Sequence, residues 1–431
     1  RSSFHIILFT FLNILCLLFG DSLIVNADLH IHSRYSKGTS KFMNIENIIK
    51  YGKLKGLSII GTGDCLHPKY LKEIKQHSNN NLLLTTEIED INRIHHLIFI
   101  PNISKVEELR ELLKIYSKNL NTEGRPKVAL NGKELFKIVK EIEGLIGPAH
   151  AFTPYTSIYK SFNSIYDCYS KKPDFLELGL SANTDMANSI EELKDIPFLS
   201  NSDAHSFYPH RLGREFNRIE INNLGNFEEN FEEIKQVLKN KNYNDINNKN
   251  KIIANYGLDP ALGKYYLTAC SRCYLRYHID DAKQLNYKCA ECGGRIKKGV
   301  LDRCRELHKN SKNNNNNNSK NNLPVRPPYH KIIPLSQIIS LSIKKTIGTK
   351  AVDSIWQQYI ELYNNEIDVL ISINIEDLKK INEKVGKIID LFRKNKIYIY
   401  PGGGGEYGKI SIRKPKVKWY EPKLTLDNWI N

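Results

Sequence analysis

No internal repeat recurs along the 431 residues, which excludes a solenoid or propeller built of like units. Long apolar runs are also lacking. The most continuous, Ile6 to Phe19, has Arg1 before it and Asp21 after it, and falls short of the ~20 residues that a membrane helix needs. It resembles the core of a secretion signal, but a buried strand begins at Leu23 with hardly a residue of linker. Residues 1–22 are therefore read as a hydrophobic extension outside the folded body. Acidic residues are in deficit, 47 against 63 Lys and Arg, leaving a formal charge of +16. The excess favours a polyanionic partner, nucleic acid ahead of membrane, although a solvated Lys-rich surface gives the same number. Cysteine does not form a disulfide framework: Cys16, Cys65, Cys168 and Cys304 follow no pattern and read as ordinary thiols. The other four cysteines pair in a metal-like spacing, which points to a reducing compartment and a cytoplasmic location.

A chain of this length buries more than one core. Between 23 and 203, seven short apolar runs end in small or polar residues: Leu23 to Ala27, Leu57 to Gly61, Leu82 to Thr85, Leu97 to Ile100, Leu145 to Gly147, Phe175 to Leu178 and Pro197 to Leu199. Helical periodicity fills several gaps, as at Ile45 to Leu54, Val106 to Tyr116 and Leu135 to Ile142. Strand and helix in alternation predict an α/β fold with a parallel sheet closed into a barrel, its active side at the strand C-termini. A second unit, 256–308, holds the paired cysteines. The Lys/Asn/Ser-rich stretch that follows, with Asn313 to Asn318 at its centre, reads as a linker over 309–324. From 325 to 431 the chain folds again as a small α+β domain, with helices near 335–346, 351–363 and Ile375 to Arg393, then strands at Ile397 to Tyr400 and from Lys409.

The strand ends carry metal-ligand residue types in unusual density. The first is followed by His30 and His32, the second by Asp64 and His67, the third by Glu87 and Glu89. His95 and His96 come next, then His150, and finally Asp203 and His205. Residues two apart on a strand share a face, so His30 with His32, and Asp203 with His205, suit ligation of one metal. Metals sharing such ligands lower the pKa of a bound water and neutralise developing charge, which points to hydrolysis of phosphate esters. Beyond the last ligand, Arg211 and Arg214 offer guanidinium groups for a phosphate.

This order resembles the PHP (polymerase and histidinol phosphatase) family. The resemblance implies a distorted (β/α)7 barrel from residue 23 to about 255 with two or three divalent metals, zinc or else manganese or magnesium. It places the ligands at His30, His32, Asp64, His67, Glu87, His96, His150, Asp203 and His205. His95 and His96 compete for one place, and His96 is preferred because an apolar strand follows it at once. Asp203, His205 and Glu87 are the expected catalytic residues.

Cys270 and Cys273, then fifteen residues, then Cys289 and Cys292 form the two-knuckle pattern of a structural zinc ribbon, with no coordination place left for catalysis. Arg272, Lys297 and Lys298 lie on it among tyrosines, a mixture suited to phosphates and unstacked bases. Further on, Gly402 to Gly405 with Glu406, Tyr407 and Gly408 joins two strands. Gly403, Gly404, Gly405 and Tyr407 are candidate nucleic-acid contacts, through main-chain N–H groups that side chains would otherwise screen.

Barrel, ribbon and glycine loop together resemble the endonuclease Q family over nearly the whole chain from residue 24. That resemblance implies cutting of double-stranded DNA on the 5′ side of a deaminated base (uracil, hypoxanthine or xanthine) or an abasic site, leaving 3′-hydroxyl and 5′-phosphate. A sliding clamp is a candidate partner, and no membrane is expected for the mature enzyme. Two alternatives remain open at this point. A small-molecule phosphatase of the histidinol-phosphatase kind leaves the ribbon and the +16 charge without a role. A catalytically inactive nucleic-acid-binding protein would be expected to have lost a ligand.

Overall fold

The computed structural model describes residues 22–77, 81–243, 249–314 and 324–422, with the backbone alone at 310–314. The extension up to residue 21 and the linker at 315–323 lie outside the described residues. Among the described residues no helix is long and apolar enough to cross a membrane.

All seven expected strands form: β1 (Leu23–Asp28), β2 (Ile59–Gly61), β3 (Leu82–Glu89), β4 (His95–Ile100), β5 (Leu145–Pro148), β6 (Leu176–Glu177) and β7 (Phe198–Leu199). The three helices read from periodicity also form: α1 (Ile45–Lys55), α2 (Pro68–Lys75) lying between it and α3 (Ile103–Leu113), and α4 (Gly132–Glu141). Asparagine starts three of these four. Asn44, Asn102 and Asn131 each accept a backbone N–H in the first turn, and Asn131 completes a capping box with Glu134.

The sheet is not wholly parallel, which corrects the expectation. β1, β2 and β3 run parallel, but β4 is antiparallel to both β3 and β5. Only the turn from Asp90 to Ile94 separates β3 from β4, and a parallel return needs a crossover of a dozen residues or more. Asp90 closes that turn, its N–H donating to the Ile94 carbonyl and its Oδ1 accepting from Ile94 N at 2.8 Å. β6 and β7 pair separately, and main-chain bonds join them into the ring. Asp174 N and Ala151 N link β5 to β6, and Ile31 pairs with Ala204 beyond the ends of β1 and β7. The result is a distorted seven-stranded barrel.

Two further strands carry no expectation from the sequence. β8 (Phe216–Ile221) lies antiparallel to β1, and β9 (Lys251–Gly257) antiparallel to β8, so the sheet continues past the barrel. Between them runs α8 (Phe227–Lys239), after the short helices α5 (Ile158–Ser161), α6 (Ile165–Tyr169) and α7 (Thr184–Asn188).

Every residue of β3 is buried, because both faces of the strand are covered. Alternation divides it and its neighbour. Leu83, Leu97 and Phe99 join a cluster with Ala27, Ile59, Phe175 and Leu199, in which Phe99 and Phe175 stack at 4.6 Å. Leu82, Leu84, Ile98 and Ile100 face Val106, Leu109 and Leu113 of α3 in the larger core. The first cluster fills the barrel, and residues of the same parity nearer the ends of β3 and β4 reach its mouth.

The cysteine unit contains β10 (Ala269–Cys270), α9 (Ile279–Gln284), β11 (Ile296–Lys297) and α10 (Val300–Asn314). After β12 (Tyr329–Lys331), which extends the large sheet beside β9, come α11 (Leu335–Ile343), α12 (Lys350–Tyr363) and α13 (Glu366–Ile371). The single helical run read over Ile375 to Arg393 is two helices, α14 (Ile375–Ile381) and α15 (Glu383–Arg393), broken at Asn382, whose side chain caps the second. β13 (Tyr398–Tyr400) and β14 (Lys409–Ser411) then pair as an antiparallel hairpin.

One buried carboxylate fastens the helical part to the barrel. Glu366, fully buried, accepts from Lys55 Nζ of α1 at 2.6 Å, from Leu335 N at 3.0 Å and from Trp356 Nε1 at 2.7 Å. Lys55 is itself buried, so removing one partner strands the other charge. Glu366→Gln is expected to destabilise the protein by about 3–5 kcal/mol, measured by urea denaturation. An unchanged midpoint would show that the pair holds nothing together.

Candidate metal centre and cleft

At the mouth of the barrel imidazoles and carboxylates converge, and some of their ligand atoms are left without hydrogen bonds. His30, His32 and Asp203 form one set whose ligand atoms lie within 4.8 Å of each other, and Glu87, His95 and His150 form another. His32 Nε2 lies 3.2 Å from Asp203 Oδ1 and 3.4 Å from Glu87 Oε2, while Glu87 Oε1 is 2.9 Å from His95 Nδ1 and 3.1 Å from His150 Nε2. Glu87 thus lies between the two sets. His30 Nε2, His32 Nε2 and Asp203 Oδ1 are buried with no hydrogen-bond partner among the described residues, an arrangement that costs free energy unless a cation meets them. The donor set fits divalent metals that accept nitrogen and oxygen ligands.

The charges agree. Burial pushes the His30 imidazole down, but Glu177, Glu87 and Asp203 outweigh this and raise it to about 10. His32 likewise reaches about 9 beside Asp203, Asp64 and Glu87. Burial would raise Glu87, yet His95 and Arg125 hold it well below the usual carboxylate range. Asp203 is held low by His205, His32 and His30. A site so crowded with carboxylates demands positive charge, from imidazolium or from metal.

Backbone strain marks the same residues. Asp64, His150 and Asp203 all have positive φ, at 48°, 31° and 47°. Non-glycine residues are rarely held in the left-handed region, and such strain collects where side chains must be aimed.

The expected ligands do not all gather. Asp64 turns to His32, its Oδ1 3.1 Å from Nδ1, while its Oδ2 accepts from Ser33 N and Oγ. His67 precedes α2, with its ring stacked on Tyr35 at 4.0 Å. His205 lies 4.4 Å from the His32 ring, its Nδ1–H donating to the Asp203 carbonyl. Among the described residues Asp64, His67 and His205 do not form a third close set.

The preference for His96 is corrected. His95 shares the face of Leu97 and Phe99 and enters the barrel mouth, whereas His96 shares the face of Ile98 and Ile100 and is turned behind the sheet, beside Asp90 and Tyr169. Glu89 touches the site indirectly, 3.3 Å from His95 Nε2.

Two residues of the site escape sequence reasoning. Glu177 on β6 is fully buried; both its oxygens lie 3.0 Å from His30 Nδ1, and it accepts from His150 N and Asn201 Nδ2. It orients two histidines at once. Its signal in the sequence is an acid inside an apolar strand, Phe175-Leu-Glu177-Leu. Arg125, from an irregular segment, bonds Glu87 Oε2 at 2.9 Å, and no sequence pattern announces it.

Over these groups opens a cleft of about 400 Å3, walled by Arg211, Arg214, Tyr155, Lys264, Tyr265 and Tyr407. Arg214 is nearly buried and bonds the Ser202 carbonyl, which aims it at the mouth. Of the ribbon's basic residues, Arg272 bonds the Cys292 carbonyl, Lys298 pairs with Glu306, and Lys297 lies over the Tyr155 ring. Lys297 and Lys298 line a separate groove with Arg295 and Arg303.

In the ribbon, Cys270 and Cys292 sulfurs are 3.5 Å apart and those of Cys273 and Cys289 3.6 Å. Four zinc–sulfur bonds of ~2.3 Å give a tetrahedron with edges of ~3.8 Å, so the cluster fits zinc and not disulfides. Burial raises the Cys289 thiol, but the Tyr277 hydroxyl and two backbone N–H groups bring it down to about 6, favouring the thiolate.

The glycine loop differs from expectation. The N–H groups of Gly402, Gly403, Gly405 and Gly408 donate to the carbonyls of Ala261, Glu406, Lys264 and Leu262. A Cβ on Gly404 would meet the Cys270 carbonyl at 2.3 Å. The glycines let the loop lie against the ribbon backbone, and Tyr407 is the member that reaches the cleft.

Glu177→Gln keeps shape and removes charge. It is expected to weaken metal binding 10–100-fold, read by calorimetric titration with manganese; unchanged affinity would deny Glu177 its orienting role.

Residues 334–396 match the family model of the MJ0043 C-terminal domain. The chain is 32% identical to MJ0043 of Methanocaldococcus jannaschii, over 95% of this chain and 100% of that protein. It is also 32% identical to YqxK of Bacillus subtilis, over 90% and 99%. Among solved structures, it is similar to the lesion-specific endonuclease PfuEndoQ of Pyrococcus furiosus, with 45% identity, 95% and 100% coverage and a TM-score of 0.81. It is similar, too, to an endonuclease Q solved with a 27-mer duplex carrying an abasic lesion at the active site, with 47% identity, 91% and 97% coverage and the same TM-score of 0.81. Across barrel, cysteine cluster and C-terminal domain, this chain belongs to the endonuclease Q family.

Proposed function

We propose that the protein is a metal-dependent DNA-repair endonuclease that hydrolyses the phosphodiester on the 5′ side of a deaminated base or an abasic site, leaving 3′-hydroxyl and 5′-phosphate. One observation carries this reading. Asp203, whose Oδ1 is one of the orphaned ligand atoms, lies with His95, His150 and His205 in a cleft walled by arginines and tyrosines. The similar endonuclease Q with its lesion-bearing duplex at the active site supports the same reading.

His30, His32 and Asp203 would hold one metal and Glu87, His95 and His150 a second, zinc, manganese or magnesium. Such metals supply a water acidic enough to attack at neutral pH. Glu87 ties the two sets together, its Oε2 3.4 Å from His32 Nε2 and its Oε1 3.1 Å from His150 Nε2 and 3.7 Å from His30 Nε2. His205, with its Nδ1–H committed to the Asp203 carbonyl, keeps a lone pair on Nε2 for a metal or for the proton leaving the attacking water. Arg211 and Arg214 are suited to hold the phosphate. Turning the damaged nucleotide out of the duplex would bring its phosphate to the floor, and weak pairing at a lesion lowers the cost. Tyr155, Tyr265 and Tyr407 offer faces for an unstacked base.

The test uses an end-labelled duplex with one deoxyuridine beside an undamaged duplex, in zinc, manganese or magnesium. A nick immediately 5′ of the lesion is expected, and Asp203→Ala should lower its rate at least 100-fold. Turnover of a small phosphate monoester with no nick in any metal would overturn the DNA reading and leave a phosphatase.

A further inference from the structure

Strand β4 turns His95 to the barrel mouth and His96 to the opposite side, where another set of ligand types meets. Beside His96 lie the carboxylate of Asp90, from the β3–β4 turn, and the thiol of Cys168, on α6. The three residues are at most 4% exposed, and their ligand atoms lie within 4.8 Å of one another.

A hydrogen-bonded relay does not account for them. His96 Nε2 and Asp90 Oδ2 are 3.3 Å apart, yet neither makes a hydrogen bond among the described residues. Two buried polar atoms facing each other unbonded call for an explanation. A metal between them provides one, since two bonds of ~2.0–2.2 Å at a tetrahedral angle put their ends about 3.3–3.6 Å apart.

The surroundings agree. His96 Nδ1 lies 2.6 Å from the Tyr169 hydroxyl, so the ring can donate its one N–H there and keep the Nε2 lone pair inward, as metal-bound imidazoles do. Asp90 Oδ1 is occupied by Ile94 N, which leaves Oδ2 toward the cluster. Gly132 starts α4 against the same space: a Cβ there would lie 2.3 Å from Cys168 Sγ and 3.3 Å from His96 Cε1.

We propose that Asp90, His96 and Cys168 bind a structural divalent metal ion of the zinc class, separate from the barrel-mouth site and from the four-cysteine cluster. Imidazole, carboxylate and thiolate together suit zinc and disfavour magnesium or calcium, which take oxygen alone. The ion joins the β3–β4 turn, β4 and α6, stiffening from behind the strand that carries His95. This site stands whether or not the proposed DNA chemistry does.

The experiment counts metal per chain by plasma mass spectrometry after zinc loading and dialysis against metal-free buffer. Cys168→Val and His96→Gln are each expected to lose one equivalent relative to the unsubstituted protein, and Asp203→Ala to keep that equivalent. Unchanged content in both variants overturns the proposal. Should either variant misfold by circular dichroism, cadmium-113 resonance of the unsubstituted protein decides. A signal from a one-sulfur site, apart from that of the four-sulfur site, supports the proposal, and its absence overturns it.

Discussion

The fold is organised around a concentration of buried negative charge that imidazolium or metal must balance. Glu87, Asp64 and Glu177 are buried at one end of a barrel, with Asp203 beside them, and the imidazoles they face keep ligand atoms unbonded. Such a cluster would expel itself into water unless a cation joined it. The apolar barrel interior, with Phe99 stacked on Phe175, keeps the strand ends in place against that tendency. Positive φ at Asp64, His150 and Asp203 shows where the backbone yields so that side chains can converge.

Much of this is legible in the amino-acid sequence. Strand ends rich in His and Asp announce themselves by period and spacing, and the four cysteines do so more plainly still. What the sequence hides is of three physical kinds. The choice between His95 and His96 depends on which face of β4 is inward, and alternation cannot tell when both faces are apolar and covered. Glu177 and Arg125 act through ligands, so neither follows a ligand motif. The antiparallel course of β4 has a signal in the short turn at Asp90 to Ile94, but the strand–helix rhythm elsewhere outweighs it.

The glycine loop shows how one residue type serves two ends. Four glycines free the backbone, which suggests an approach to a ligand; here the close approach is to the chain's own ribbon. Packing loop against ribbon brings Tyr407 over the cleft beside Lys264 and Tyr265. Glu366, by fastening the C-terminal helices to α1, supports the same convergence. Barrel, ribbon and C-terminal domain therefore contribute to one opening.

The central claim is that the imidazoles and carboxylates converging at the strand ends are metal ligands. Anomalous diffraction from crystals soaked in manganese tests it most directly. The account predicts peaks bounded by His30, His32 and Asp203 and by Glu87, His95 and His150. Crystals of active protein with no peak at either place, and with His96 in place of His95 beside a metal at the barrel mouth, would contradict it.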